Sequence, residues 1–253
     1  MFKKVFKLER GILFLGVVEM RKIGSLGLTV LILFSLVAML PLSVSAVEST
    51  HLMVVEWYGS GRVALNAIPP TDNSMSNPDY KLLRFHWYST INYYINPTNT
   101  YGISDFDVVE AIQISAETWD VNTHFEVFAD NPVTTSTQAA GNYDGFNVVA
   151  WGYYGNSQVI AVTYIWYNRF TRKIVETDTM MNIQFSWSLT RVTGTMDVQN
   201  IMTHEFGHWC GLNDLYRDKD YWLTMYGYAN NGETYKQTLG LGDILGLQKV
   251  YGA

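Results

Sequence analysis

The run His204-Glu205-Phe206-Gly207-His208-Trp209-Cys210-Gly211-Leu212-Asn213-Asp214 constrains this chain more than any other feature. Histidines four apart share one side of an α-helix, so the stretch predicts a helix that aims both imidazoles at one point. The helix should begin near Thr195 or Asp197 and stop at Gly211, because glycine takes the left-handed conformation that ends helices and reverses the chain. Asp214, three residues further on, can then return a carboxylate to the same point. His204, His208 and Asp214 therefore fit a three-ligand zinc site with a fourth position open. Glu205 is about 100° around the helix from His204 and i,i+3 from no other ligand but His208, so it stands beside such an ion without binding it. That is where a general base acting on water belongs. A bare His-Glu-x-x-His arises by chance, and the weight here comes from Gly211 and Asp214 being in register with it. The other histidines, His51, His86 and His124, stand alone on predicted loop or strand positions and read as packed or solvated side chains.

Cys210 is the single cysteine, so no disulfide can form within the chain. Stability has to come from the core, for which the 48% hydrophobic content is ample, and from bound ions. Residues 1–46 read as a targeting segment rather than as part of the fold. Met20-Arg21-Lys22 is a short basic start, Gly24 to Val47 carries no charge, Pro41 breaks the apolar run, and Val44-Ser45-Ala46 has the small-x-small form of a signal-peptidase site. The expectation is a secreted protein cleaved after Ala46, with Met20 as the true start. The alternative is an uncleaved anchor over residues 23–44, a stretch nearly long enough to span a bilayer. Without residues 1–46, 11 basic residues face 21 acidic ones. Such a surface repels phosphate backbones and argues against nucleic-acid partners.

Residues 47–84 hold one predicted strand, Leu52 to Trp57, followed by the turn-rich Pro69-Pro70-Thr71-Asp72-Asn73-Ser74, and read as an N-terminal extension or pro-segment. A domain over 85–253 follows. Alternation predicts strands at Ile91 to Ile95, near Phe125 and Val127, and at Phe146 to Trp151, Val159 to Tyr167 and Ile174 to Phe185. Ser104 with Asp107 opens a helix whose apolar face is Val108 or Val109, Ile112, Ala116 and Trp119. A last helix runs from about Asp243 to Tyr251. Together these elements make an α+β domain.

The motif His204 to Asp214 resembles the zinc motif of metzincin peptidases, with Asp in place of the usual third His as in snapalysin-type members. Leu223-Thr224-Met225-Tyr226-Gly227 resembles the metzincin Met-turn, and Leu239 to Gly252 is similar to the C-terminal helix of matrixins. Val108 to Phe125, Asp144-Gly145-Phe146-Asn147 and Val175 to Asn182 look like the matrixin first helix and strands. The resemblance covers about residues 85–252. It implies a twisted five-stranded mixed sheet, an active-site helix and a C-terminal helix. It also implies an edge strand, here Val159 to Thr163, that pairs with an extended polypeptide substrate. Met225 would floor the metal site without ligating it, and Asp243 would brace the Met-turn. Gly227 stands where astacin-like members carry a metal-binding Tyr, and Gly242 where matrixins carry the first of two aspartates, so neither role transfers.

The function this implies is hydrolysis of peptide bonds by one catalytic zinc, with Glu205 as base. Asp144 and the acidic residues of 214–220 offer oxygens for a structural calcium, although they do not form an EF-hand loop. Two other readings stay open: a non-catalytic, zinc-containing cell-surface binding protein, and a hydrolase acting on a non-peptide substrate.

Overall fold

The computed structural model describes residues 6–8, 12–14, 50–59 and 76–253. The chain forms two units, residues 1–46 and residues 47–253. In the first, β1 (Phe6–Leu8) pairs antiparallel with β2 (Ile12–Phe14). The basic start at Met20, the apolar run and the Ala46 cleavage site lie outside the described residues. No helix among the described residues is long and apolar enough to cross a membrane.

The second unit is built on a mixed sheet of seven strands in the order β11-β3-β7-β8-β6-β4-β5. They are β3 (Thr50–Gly59), β4 (Tyr94–Asn96), β5 (Val133–Thr134), β6 (Val148–Gly152), β7 (Val159–Asn168), β8 (Lys173–Asn182) and β11 (Tyr228–Ala229). β3 to β7 and β7 to β8 are antiparallel, and the other pairs are parallel. A short parallel pair, β9 (Trp187–Ser188) and β10 (Met196–Asp197), leads into the central helix.

The expected five-stranded sheet is thus too small, for two physical reasons. β3 adds a strand from before residue 85. β5 and β11 are two residues each, too short to leave an alternating pattern. In the opposite direction, the strand expected near Phe125 does not join the sheet and makes only a single bridge, Ile91 to Phe128. A second expectation is also corrected: β7 is not an edge strand. β3 covers one of its sides and β8 the other.

Three helices complete the unit: α1 (Asp105–Asp120), α2 (Val198–Trp209) and α3 (Leu241–Tyr251). α1 starts where the sequence places it. Ser104 is the N-cap, its hydroxyl accepting from the Asp107 N–H. Val108, Ile112, Ala116 and Trp119 are buried at helical spacing. α2 is buried along nearly all its length, between α1 and the sheet. Trp119 Nε1 donates to Thr203 O at 2.8 Å, tying α1 to α2, and Trp209 Nε1 donates to Thr179 Oγ1 at 2.9 Å, tying α2 to β8. Cys210 is buried and free, packed as a small apolar residue.

Candidate metal centre

α2 is capped by Asp197, whose carboxylate accepts from Asn200 N at 2.8 Å. The helix carries His204 and His208 on one side and is closed by Gly211 at φ +90°. A side chain at that φ would be strained, and a Cβ there would also sit 3.2 Å from Phe85 O. Leu212 N donates to Gly207 O and Gly211 N to His208 O, which completes the C-terminal turn. Residues 81–83 then run beside 211–213, with Leu83 N donating to Gly211 O and Asn213 N to Lys81 O, each 2.7 Å. The reversed chain brings Asp214 back over the helix.

One ligand atom from each of His204, His208 and Asp214 lies within 4.8 Å of the other two. This is the one such group of three among the described residues, and all three are buried. The fit to a metal is decided by their hydrogen bonds. His204 Nδ1 is 2.7 Å from Thr224 O, and His208 Nδ1 is 3.0 Å from Leu212 O. A carbonyl only accepts, so both Nδ1 atoms carry protons. Both Nε2 atoms point into the group, and neither has a hydrogen-bond partner. Asp214 Oδ1 is likewise without a partner, though it lies 3.2 Å and 3.6 Å from the two Nε2 atoms. Its other oxygen, Oδ2, accepts from the Tyr216 hydroxyl at 3.1 Å. Buried polar atoms left unpaired cost about 1–3 kcal/mol each, and three converging on one point are explained by an ion between them. Two neutral imidazole nitrogens and one carboxylate oxygen are a donor set that fits a metal.

Electrostatics agree. Burial takes His208 down to about 4, so it is neutral and free to bind. Burial alone would raise Asp214, but His208, His204 and the Tyr216 hydroxyl together bring it below the usual carboxylate range. Burial pushes Glu205 up to about 7, against the pull of His204 and Thr163. Glu205 Oε2 accepts from Thr163 Oγ1 at 2.5 Å, and Oε1 has no partner.

Met225 is buried against α2 at Gly207. A Cβ at Gly207 would come within 2.2 Å of its sulfur, so glycine there admits the methionine. Asp243, on the first turn of α3, accepts from Thr224 N at 2.8 Å and Met225 N at 3.1 Å. Leu215 N donates to Met225 O and Gly227 N to Leu215 O, which joins the Asp214 loop to the methionine turn.

His51 and His86 lie apart from the group in ring contacts with Tyr167 and with Tyr88 and Tyr251. Asp144 accepts from Phe146 N, and Asp220 is held by Asn77 and Arg217. Three residues of the centre gave no local signal in the sequence: Thr163 on β7, Tyr216, and Trp57, whose ring stacks on His204. No family model matches the chain, and no curated protein matches it.

Proposed function

We propose that this chain is a secreted zinc-dependent endopeptidase in which His204, His208 and Asp214 hold the ion and Glu205 is the general base. The observation that supports this reading is the set of unpaired buried atoms: His204 Nε2, His208 Nε2 and Asp214 Oδ1, with Glu205 Oε1 beside them. Two imidazoles and one carboxylate are a common set for catalytic zinc. The chemistry such an ion supplies when bound is Lewis acidity, which polarises a carbonyl and lowers the pKa of water toward about 7.

The rest is done by the chain. Glu205 Oε1 takes the proton of the attacking water and delivers it to the leaving amine, the usual double duty of a general base. Thr163 holds Oε2, so the carboxylate cannot rotate away. Thr224 and Leu212 fix the imidazole tautomers, leaving both Nε2 lone pairs free. Asp214 adds a negative charge that a third histidine would not, which makes the centre a weaker electrophile. Export would follow from residues 1–46, and N-terminal sequencing of the exported product tests that part.

The test of activity uses the full chain, loaded with zinc, on an unfolded protein substrate, before and after limited proteolysis and with and without a chelator. Chelator-sensitive cleavage is the expected result. Bound zinc with no cleavage in either form would favour the non-catalytic binding protein.

A further inference from the structure

α1 turns a line of apolar and acidic residues to solvent. Phe106, Ile114 and Val121 are 73%, 43% and 77% exposed. Glu110 and Glu117, also exposed, lie between them. An α-helix turns about 100° per residue, so these five fall within an arc of about 80°. The buried residues Val108, Ala111, Ile112, Ser115, Ala116 and Trp119 take the opposite side of the helix, which packs on α2. The line furthest from the core of a surface helix normally carries polar residues. Apolar residues scattered singly over a surface need no explanation, but three on one line, rimmed by polar ones, mark a contact site.

The line alternates. From the N-terminal end it reads Phe106, Glu110, Ile114, Glu117 and Val121, each about one turn from the next. More acid stands beside it. Gln113 Nε2 donates to Asp130 O at 3.2 Å, which brings Asp130 alongside α1. Partial burial, Asp130 and Glu126 together raise the Glu117 carboxyl above the usual range, the last two by like charge. Among the described residues no Lys, Arg or His pairs with Glu110, Glu117, Glu126 or Asp130. A second copy of the chain would set Glu110 and Glu117 against the same carboxylates, in either orientation. An anionic lipid surface would be repelled as well. A cationic partner is the occupant that the charge favours.

We propose that the outer face of α1 docks a basic amphipathic helix of a partner protein. The apolar side chains of that helix cover Phe106, Ile114 and Val121. Its Lys or Arg side chains, one turn from the apolar ones, pair with Glu110 and Glu117. The apolar contacts supply affinity, and the charges choose the partner, as flanking charges do between paired helices. The face lies on the side of α1 away from α2, so the proposal is independent of the metal centre and its chemistry.

The experiment uses the full chain and a synthetic, fluorescein-labelled helical peptide, read by anisotropy. The peptide carries Leu, Lys, Leu, Lys and Leu at the spacing of residues 106, 110, 114, 117 and 121, so it complements α1 in either orientation. One control peptide has Glu in place of Lys. Another has the same composition in an order that leaves no apolar face. Two double variants of the protein are compared with wild type: Glu110→Lys with Glu117→Lys, and Phe106→Ser with Val121→Ser. All four positions are exposed, so urea denaturation should show wild-type stability in both.

The expected result is that wild type binds the Lys peptide and neither control. The serine variant should bind it about tenfold or more weakly. The lysine variant should exchange its preference and bind the Glu peptide instead. Equal binding of the reordered peptide overturns the proposal, since diffuse charge alone would then account for it. So does no binding of the Lys peptide, or binding that neither double variant alters. Sedimentation of the protein alone and flotation with phosphatidylglycerol vesicles test the other occupants. A dimer, or vesicle binding, that the serine variant abolishes would assign the face to a second copy or to a membrane and overturn the partner helix.

Discussion

The Thr163 hydroxyl lies 2.5 Å from Glu205 Oε2 and is the last donor in a chain that begins at Trp209. Trp209 Nε1 donates to Thr179 Oγ1 at 2.9 Å, and the Thr179 and Thr163 hydroxyls are 2.7 Å apart. An ionised carboxylate can only accept, so Thr163 gives its single proton to Glu205, and Thr179, which accepts from the indole, must donate to Thr163. Successive bonds of this kind polarise one another. Two neighbouring strands and the end of α2 thereby fix one oxygen of Glu205 and leave the other free.

Thr163→Val keeps the shape of the side chain and removes its hydroxyl. Glu205 Oε2 then has no donor, and the fold should lose about 1–3 kcal/mol. Urea denaturation checks this. Zinc content should be unchanged, while hydrolysis falls because the base is no longer held. Wild-type stability in the variant would show that the contact carries no energy.

Asp243 supports His204 from two bonds away. Its carboxylate accepts from Thr224 N, Met225 N and Gly240 N, and Thr224 O accepts from His204 Nδ1. Asp243→Ala strands three buried N–H groups, at a cost of about 3 kcal/mol or more. It should also weaken zinc binding by about 10–100-fold, the usual effect of losing an outer support. Competition against a chromophoric chelator measures the second effect, and unchanged affinity would contradict it.

Asp178 gives a pH signature away from the metal. It is fully buried on β8, and burial pushes it up to about 7. That outweighs the N–H bonds it accepts from Gly141, Asn142 and Val148. The folded chain therefore binds a proton more tightly than the unfolded chain. This contribution is fully present below the unfolded value of about 4 and is lost as pH rises through about 7, with an upper bound of about 4 kcal/mol. Wild type should lose stability relative to Asp178→Asn across this window in urea titrations. A constant difference between the two would refute the assignment.

Local features were legible in the sequence. The His204, His208 and Asp214 set follows from helical spacing plus one glycine at positive φ, and α1 follows from Ser104 and four apolar residues. The residues that finish the centre were not legible, because they reach it through tertiary contacts. Thr163 reads as any strand threonine until β7 is laid against α2. Trp57 reads as one apolar residue of an isolated strand until β3 pairs with β7. That pairing also explains the misplaced sheet edge, since alternation reveals a strand but not its neighbour. The two-residue strands β5 and β11 carry no periodicity to read.

The most direct test compares zinc content and peptide hydrolysis in wild type and Glu205→Gln, each before and after limited proteolysis. The account predicts one zinc per chain in each protein, and hydrolysis reduced in the variant by about 10²–10⁴-fold, the usual contribution of a general base. Hydrolysis by Glu205→Gln at the wild-type rate, or a wild type that binds no zinc, would contradict it.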